Sequence, residues 1–191
     1  MSQVNFDELE TVLEQSDSEF KTNLPDALDG VAENLDEFLV HHPEAFELLS
    51  TRMSTLDDIA EYANDETATV RRFLTILWDG LGLITEMVPA VAEEVTEEYT
   101  VNWEPTDSTV SFHMSSDPDA GTISGGPGVL NDAELTFKGT TDVMFSMPAD
   151  DEFNGPLAFI QNRYEIIGPL ERARSFNTMM ETINENMDEL A

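Results

Sequence analysis

The chain has no cysteine, which removes disulfides, thiolate metal sites and cysteine nucleophiles together and leaves the redox compartment unreadable from thiols. It is almost as poor in positive charge. Eight lysines and arginines stand against 40 aspartates and glutamates, for a net charge of −32, and Lys21 and Lys138 are its lysines. With no basic patch to displace counterions, free nucleic acid is not an expected partner. Long hydrophobic runs are missing too. The most apolar window, Phe73–Ala92, is interrupted by Asp79, Glu86 and Pro89, whereas a spanning helix needs about 20 predominantly apolar residues. Met1–Leu13 has neither a basic start nor an apolar stretch, so no signal peptide is expected, and the protein is expected to be soluble and cytoplasmic.

Signatures of chemistry are equally scarce. His41 and His42 are adjacent, so on a helix they do not share a face; His113 stands apart, and no H-E-x-x-H pattern is present. Ser124–Gly128 lacks the Lys-Ser/Thr of a P-loop and reads as a flexible turn. Glu93-Glu94 and Glu97-Glu98 would need burial to separate their pKa values for acid–base work, and in so acidic a chain they read as a solvated helix face. No metal, cofactor or catalytic residue is assigned, and the expectation is a protein that is not an enzyme. Thr55–Leu74 has the outline of a helix-turn-helix with Arg71-Arg72 on its second helix. Residues 51–78 nevertheless hold five acids against three arginines, so an ordinary helical hairpin is the expectation and a DNA-binding regulator the lesser alternative.

What is present is enough for a core: 191 residues, 40% of them hydrophobic, with eleven Phe and nine Met. The acids are spread along the chain, 24 against 4 bases up to Glu98 and 16 against 4 after it. That is not an acidic tail. It reads as a surface adapted to very high cytoplasmic salt, where screening mutes self-repulsion, as in a salt-loving microbe.

The first half is helical. Phe6, Leu9, Val12 and Leu13 share a face over Asn5–Glu14. Asn23-Leu24-Pro25 reads as a turn into a second helix bearing Ala27, Leu28, Val31, Leu35, Phe38 and Leu39. Pro43 starts a third, through Met53. Thr55 and Asp58 have the spacing of a capping box before a fourth around Ile59–Ala63. From Val70 a seam of Leu74, Leu77, Leu81, Ile84, Val88, Val91 and Val95 alternates spacings of four and three, the a/d repeat of helix-on-helix packing. Gly80, Gly82 and Pro89 argue for a break, near Pro89. This seam is either core, a dimer seam, the cover of a ligand groove, or the face for a protein partner.

The second half is β-rich. Tyr99, Val101 and Trp103 alternate with polar neighbours, as do Val110, Phe112 and Met114, which predicts a hairpin. Ser115–Gly128 reads as a loop with at most a short strand at Thr122–Ser124. Ala133, Leu135 and Phe137 alternate over Asp132–Lys138 as a half-buried strand. Thr141–Met147 suits a short helix or a strand. After Asn154-Gly155-Pro156 come an apolar helical turn at Ala158-Phe159-Ile160, a strand at Arg163–Ile167, and Gly168-Pro169 opening a last helix striped with Leu170, Ala173, Phe176, Met180 and Ile183.

The order strand, short helix, then Ala158, Phe159, Ile160, Asn162, Arg163, Tyr164, Ile166, Gly168 and Leu170 resembles a run of the sterol carrier protein type-two, or lipid-transfer, family. Asn162 stands where that family has a glycine, which asparagine tolerates because it enters the left-handed region more readily than most residues. Pro169 stands where the family often has Asp. The resemblance is clearest over Asp132–Phe176 and extends back to about Tyr99. It implies an α+β fold: a helical region over 1–96, then a sterol-carrier-like domain over 97–191 with a mixed, about five-stranded sheet covered by helices around an apolar tunnel.

The implied activity is non-covalent binding, and transfer, of a hydrophobic acyl or isoprenoid ligand, with transient membrane contact. Flexible thioethers and aromatics suit an adaptable cavity. The residues assigned to the ligand are Trp103, Phe112, Met114, Phe137, Met144, Phe145, Met147, Phe159, Phe176, Met179 and Met180, with Phe153 beside them and the last helix as lid. A protein-interaction module built on residues 70–95 is the alternative.

Overall fold

The computed structural model describes residues 6–149 and 153–188. Helices come first: α1 (Asp7–Leu13), α2 (Asp17–Ala32), α3 (Leu35–His41), α4 (Pro43–Ser54), α5 (Ile59–Asp65), α6 (Thr67–Met87) and α7 (Pro89–Ala92). Asn5, where the first helix was expected to begin, lies outside the described residues. Then follow β1 (Tyr99–Pro105), β2 (Phe112–Asp117), β3 (Thr122–Pro127), β4 (Leu135–Gly139), α8 (Thr141–Ala149), α9 (Gly155–Ile160), β5 (Tyr164–Ile167) and α10 (Leu170–Asp188). The fold is α+β.

The strands form one sheet in the order β3-β2-β1-β4-β5. β1 and β4 run parallel, with Trp103 opposite Phe137, and every other pairing is antiparallel. The sheet is therefore mixed. Its apolar face meets the helices: Trp78 of α6 lies 5.5 Å from Trp103, Phe145 of α8 lies 5.4 Å from Phe112, and Phe176 of α10 lies 6.0 Å from Phe137, between ring centroids. One apolar cluster runs from Phe6 to Ile183, so the helical half and the sheet share a core.

Several local expectations change, each for a tertiary reason. α2 runs through Pro25 without breaking. Pro25 cannot donate to the Lys21 carbonyl one turn back, but the Tyr62 hydroxyl donates to that oxygen instead (3.2 Å). Thr55 donates back to the Thr51 carbonyl, and no side chain caps α5. The short strand expected at Thr122–Ser124 runs on to Pro127, through residues expected to be a turn. Gly125 lies under Trp78, where an added Cβ would sit 2.7 Å from the indole and 2.5 Å from the His113 carbonyl. Gly80 does not interrupt α6. It lets the Phe46 ring of α4 seat against the helix, where a Cβ would be 2.7 Å from the ring. α6 does end at Val88, just before Pro89.

The seam from Val70 faces inward. Val70, Leu74, Leu77, Leu81, Val91 and Val95 are buried, with Ile84 and Val88 partly so. α6 packs on β3 on one side and on α2, α3 and α5 on the other. Most of it is core, and Leu77, Leu81, Ile84 and Val88 also line a hollow against α3 and α4. Arg71 and Arg72 stay on the exposed side of α6, where Arg72 is tied to Asp29. His42 lies 2.7 Å from a Glu10 carboxylate oxygen and stacks on Phe38.

Candidate ligand-binding site

The site is built where the end of the sheet meets α9 and α10. Phe137 projects from β4 and Tyr164 and Ile166 from β5. Asn162, just before β5, has φ 56°, a left-handed turn residue that reverses the chain between α9 and the strand. Asn154 caps α9 by accepting from the Leu157 N–H (2.8 Å). The Tyr164 hydroxyl donates to the Gly155 carbonyl (3.1 Å), which ties β5 to the start of α9. Burial holds the Tyr164 hydroxyl's pKa above its ordinary value.

Between these elements and α10 the interior is not filled. A cavity of about 490 Å³ is walled by Trp103, Phe137, Tyr164, Ile166, Phe176 and Met180, with Met147, Pro148 and Phe153 at the α8–α9 side. The aromatic walls touch one another: Trp103–Phe137, Phe137–Tyr164 and Phe159–Tyr164 centroids are 5.9, 5.9 and 5.7 Å apart. Ile160, at 75% exposure, and Leu170, at 59%, line the cavity and are open to solvent. With Phe159 they make an apolar rim, a grouping that on a folded surface marks a binding region.

α10 brings polar groups to one edge of the cavity: Arg174, Asn177, Thr178, Glu181 and Asn184. Asn177 donates to Glu181 (2.9 Å). Arg174 has no carboxylate within ion-pair distance among the described residues, whereas Arg163 pairs with Asp142 and Lys138 with Glu104.

The start of α10 is fixed. The Arg172 guanidinium donates to both Glu134 carboxylate oxygens (2.6 and 3.0 Å), to the Glu98 carbonyl (2.6 Å) and to Glu97, and it lies 4.1 Å from the Tyr99 ring centroid. Glu134 holds the arginine's pKa above its usual value. The helix is thus anchored to the segments entering β1 and β4, while its later turns lie over the cavity.

Of the residues assigned to a ligand from sequence, Trp103, Phe137, Met147, Phe159, Phe176 and Met180 line this cavity. Phe112, Met114, Met144, Phe145 and Met179 do not. They are buried in solid core, Phe112 and Met114 on β2 and Met144 and Phe145 on α8. Tyr164, Ile166, Ile160, Leu170 and Arg174 were not assigned. The signal for three of them was available: Ile160, Ile166 and Leu170 are apolar residues around one turn and an edge strand.

No family model matches the chain, and no curated protein matches it. Among solved structures, the UbiJ-SCP2 ubiquinone synthesis protein overlaps 62% of this chain and 91% of its own, at 11% identity and a TM-score of 0.40. Sterol carrier protein 2 from Yarrowia lipolytica, in its apo form, overlaps 60% and 91%, at 15% identity and 0.42. The inverting sec-alkylsulfatase Pisa1 from Pseudomonas overlaps 90% of this chain, at 12% identity and 0.41, and this chain spans 26% of that enzyme. These overlaps are loose, and the functional reading rests on the cavity. Among the described residues no helix is long and apolar enough to cross a membrane.

Proposed function

We propose that this protein binds, and passes on, a hydrophobic acyl or isoprenoid molecule without chemically changing it. The observation that carries the reading is the apolar hollow between α10 and the β4–β5 side of the sheet, open through an apolar rim. Its volume falls within the range of small-molecule sites, about 300–1,000 Å³, and its lining matches their usual chemistry, mostly apolar walls with a few polar groups at one edge. Each methylene taken from water contributes about 0.8 kcal/mol, so a long chain needs few polar contacts to bind. Arg174, at the polar edge, is the contact for a head group carrying negative charge or oxygen acceptors.

The exposed Ile160 and Leu170, with Phe159, form the face that would meet a membrane while the ligand is loaded. α10 acts as the cover, its first turns held in place by Arg172. The acid excess fits work in a high-salt cytoplasm. Sterol is not specified by anything in the walls.

Native mass spectrometry of protein purified in high salt tests the reading, together with displacement of a fluorescent fatty acid. Co-purifying lipid, or saturable displacement by unlabelled fatty acid, is the expected result. A bare monomer that ignores the fluorescent probe would overturn it.

A further inference from the structure

The hollow beneath α10 has a neighbour on the helical side. A second cavity, of about 360 Å³, lies among α3, α4 and α6, with Leu39, Phe46, Leu77, Leu81 and Ile84 in its walls and Met187 of α10 closing it. Pro148 and Asn184 line both cavities. These two residues therefore stand at the boundary between the cavities. Pro148 is in the last turn of α8 and Asn184 in the last turns of α10, the end of that helix farthest from the Arg172 anchor.

Among the α10 residues that line the two cavities, one row runs the length of the helix, with Arg174, Phe176, Thr178 and Glu181 beside it. Leu170, Ala173, Asn177, Met180 and Asn184 face the first, and Asn184 and Met187 the second, at successive spacings of three and four. This is one face of one helix. From Leu170 to Met187 it is about 25 Å long at a rise of about 1.5 Å per residue.

We propose that the two chambers form one extended site, and that its ligand is a single long acyl or polyprenyl chain. The chain enters past Leu170 and Ile160 and follows α10. Its far end passes Pro148 and Asn184 into the chamber built by the N-terminal helices. The helical half then has a function of its own: it sets the length of chain the protein accepts. This rests on the carrier reading above and names the ligand class more narrowly.

Chain-length dependence tests it. Lauric, palmitic, arachidic and lignoceric acids are each used to displace a fluorescent stearate from the full chain in high salt. Two variants plug the second chamber from opposite walls, Ile84→Trp on α6 and Thr51→Phe on α4, both at partly buried positions. Two are used so that a folding failure of one leaves the other to decide.

In the unaltered protein, affinity is expected to keep rising from palmitic to lignoceric acid, approaching the roughly fourfold per methylene of full burial. Either folded plug is expected to remove that rise and leave lauric acid binding within about twofold. An affinity that levels off at palmitic acid in the unaltered protein overturns the extended site, as does a length dependence that survives a folded plug. Either result leaves the first cavity's function intact. Failure of every acid to displace the probe overturns the carrier reading, and the extended site with it.

Discussion

The Tyr62 hydroxyl donates to the Lys21 carbonyl across 3.2 Å, the oxygen that Pro25 leaves without its helical donor. The proline is tolerated inside α2 because α5 supplies the missing proton. Lys21 is held to the same region by its ammonium, 2.5 Å from an Asp58 carboxylate oxygen. Tyr62 is 6% exposed, and burial, reinforced by the Glu66 carboxylate, pushes its pKa from the ordinary 10.0 to about 12.

Tyr62→Phe removes the donor and leaves the carbonyl buried. We expect a loss of about 1–3 kcal/mol at neutral pH by urea denaturation. The pH dependence has a definite sign. A hydroxyl whose pKa is raised on folding contributes stability that is complete below the unfolded value of 10.0 and is lost as the pH climbs towards 12. The unaltered protein therefore weakens over that window, and the variant weakens less. Equal slopes for the two would show that Tyr62 ionises freely in the folded state.

The two tryptophans separate cavity from core. Trp103 lines the hollow, and Trp78, 5.5 Å away, packs on Gly125 instead. Ligand binding is expected to alter the fluorescence of a Trp78→Phe variant and to leave that of a Trp103→Phe variant nearly unchanged. The reverse pattern would place the ligand on the α6 side of the sheet.

Two glycines should respond to alanine with opposite signs. Gly30 lies inside α2 with nothing within 4 Å of an added Cβ, so Gly30→Ala is expected to stabilise by about 0.4–1 kcal/mol. Gly125→Ala drives a methyl group into Trp78 and the His113 carbonyl and is expected to cost about 1–3 kcal/mol. Thermal melts of both variants check the pair. A neutral Gly125→Ala would mean that α6 moves off β3 without penalty.

That contrast shows what local sequence can carry. The alternation at Leu135 and Phe137, the turn at Asn162 and the break at Pro89 depend on near neighbours, and all three are legible from them. Residues 124–127 read as a turn because Ser-Gly-Gly-Pro is turn chemistry. They form a strand because β2 pairs with them and Trp78 needs the space above Gly125. Pro25 misleads for the same reason, since its compensation comes from Tyr62, 37 positions on by the numbering. The cavity divides likewise. Aromatic and methionine content points to Trp103, Phe137 and Phe176, but composition cannot tell them from Phe112 or Phe145, whose rings close on one another in the core. What separates the two groups is which helix lies above them: α6 and α8 fill their side of the sheet, and α10 stands off from its own.

The net charge of −32 makes the last prediction. The bases found in ion pairs engage few of the acids, and exposed carboxylates such as Glu33, Glu37 and Glu44 have no cation within ion-pair distance among the described residues. Their mutual repulsion reaches about 10 Å at 0.1 M salt and about 3 Å at 1 M. Melting temperature is therefore expected to climb as potassium chloride rises through this range, steeply at first and then levelling once the screening length falls below the spacing between charges. A triple variant, Glu33→Gln, Glu37→Gln and Glu44→Gln, removes three charges without altering buried groups. It should melt higher than the unaltered protein in dilute buffer and converge with it in concentrated salt. A melting temperature indifferent to potassium chloride, or a variant that gains nothing at low salt, would show that repulsion is not what the salt relieves, and the high-salt reading of the surface would fall with it.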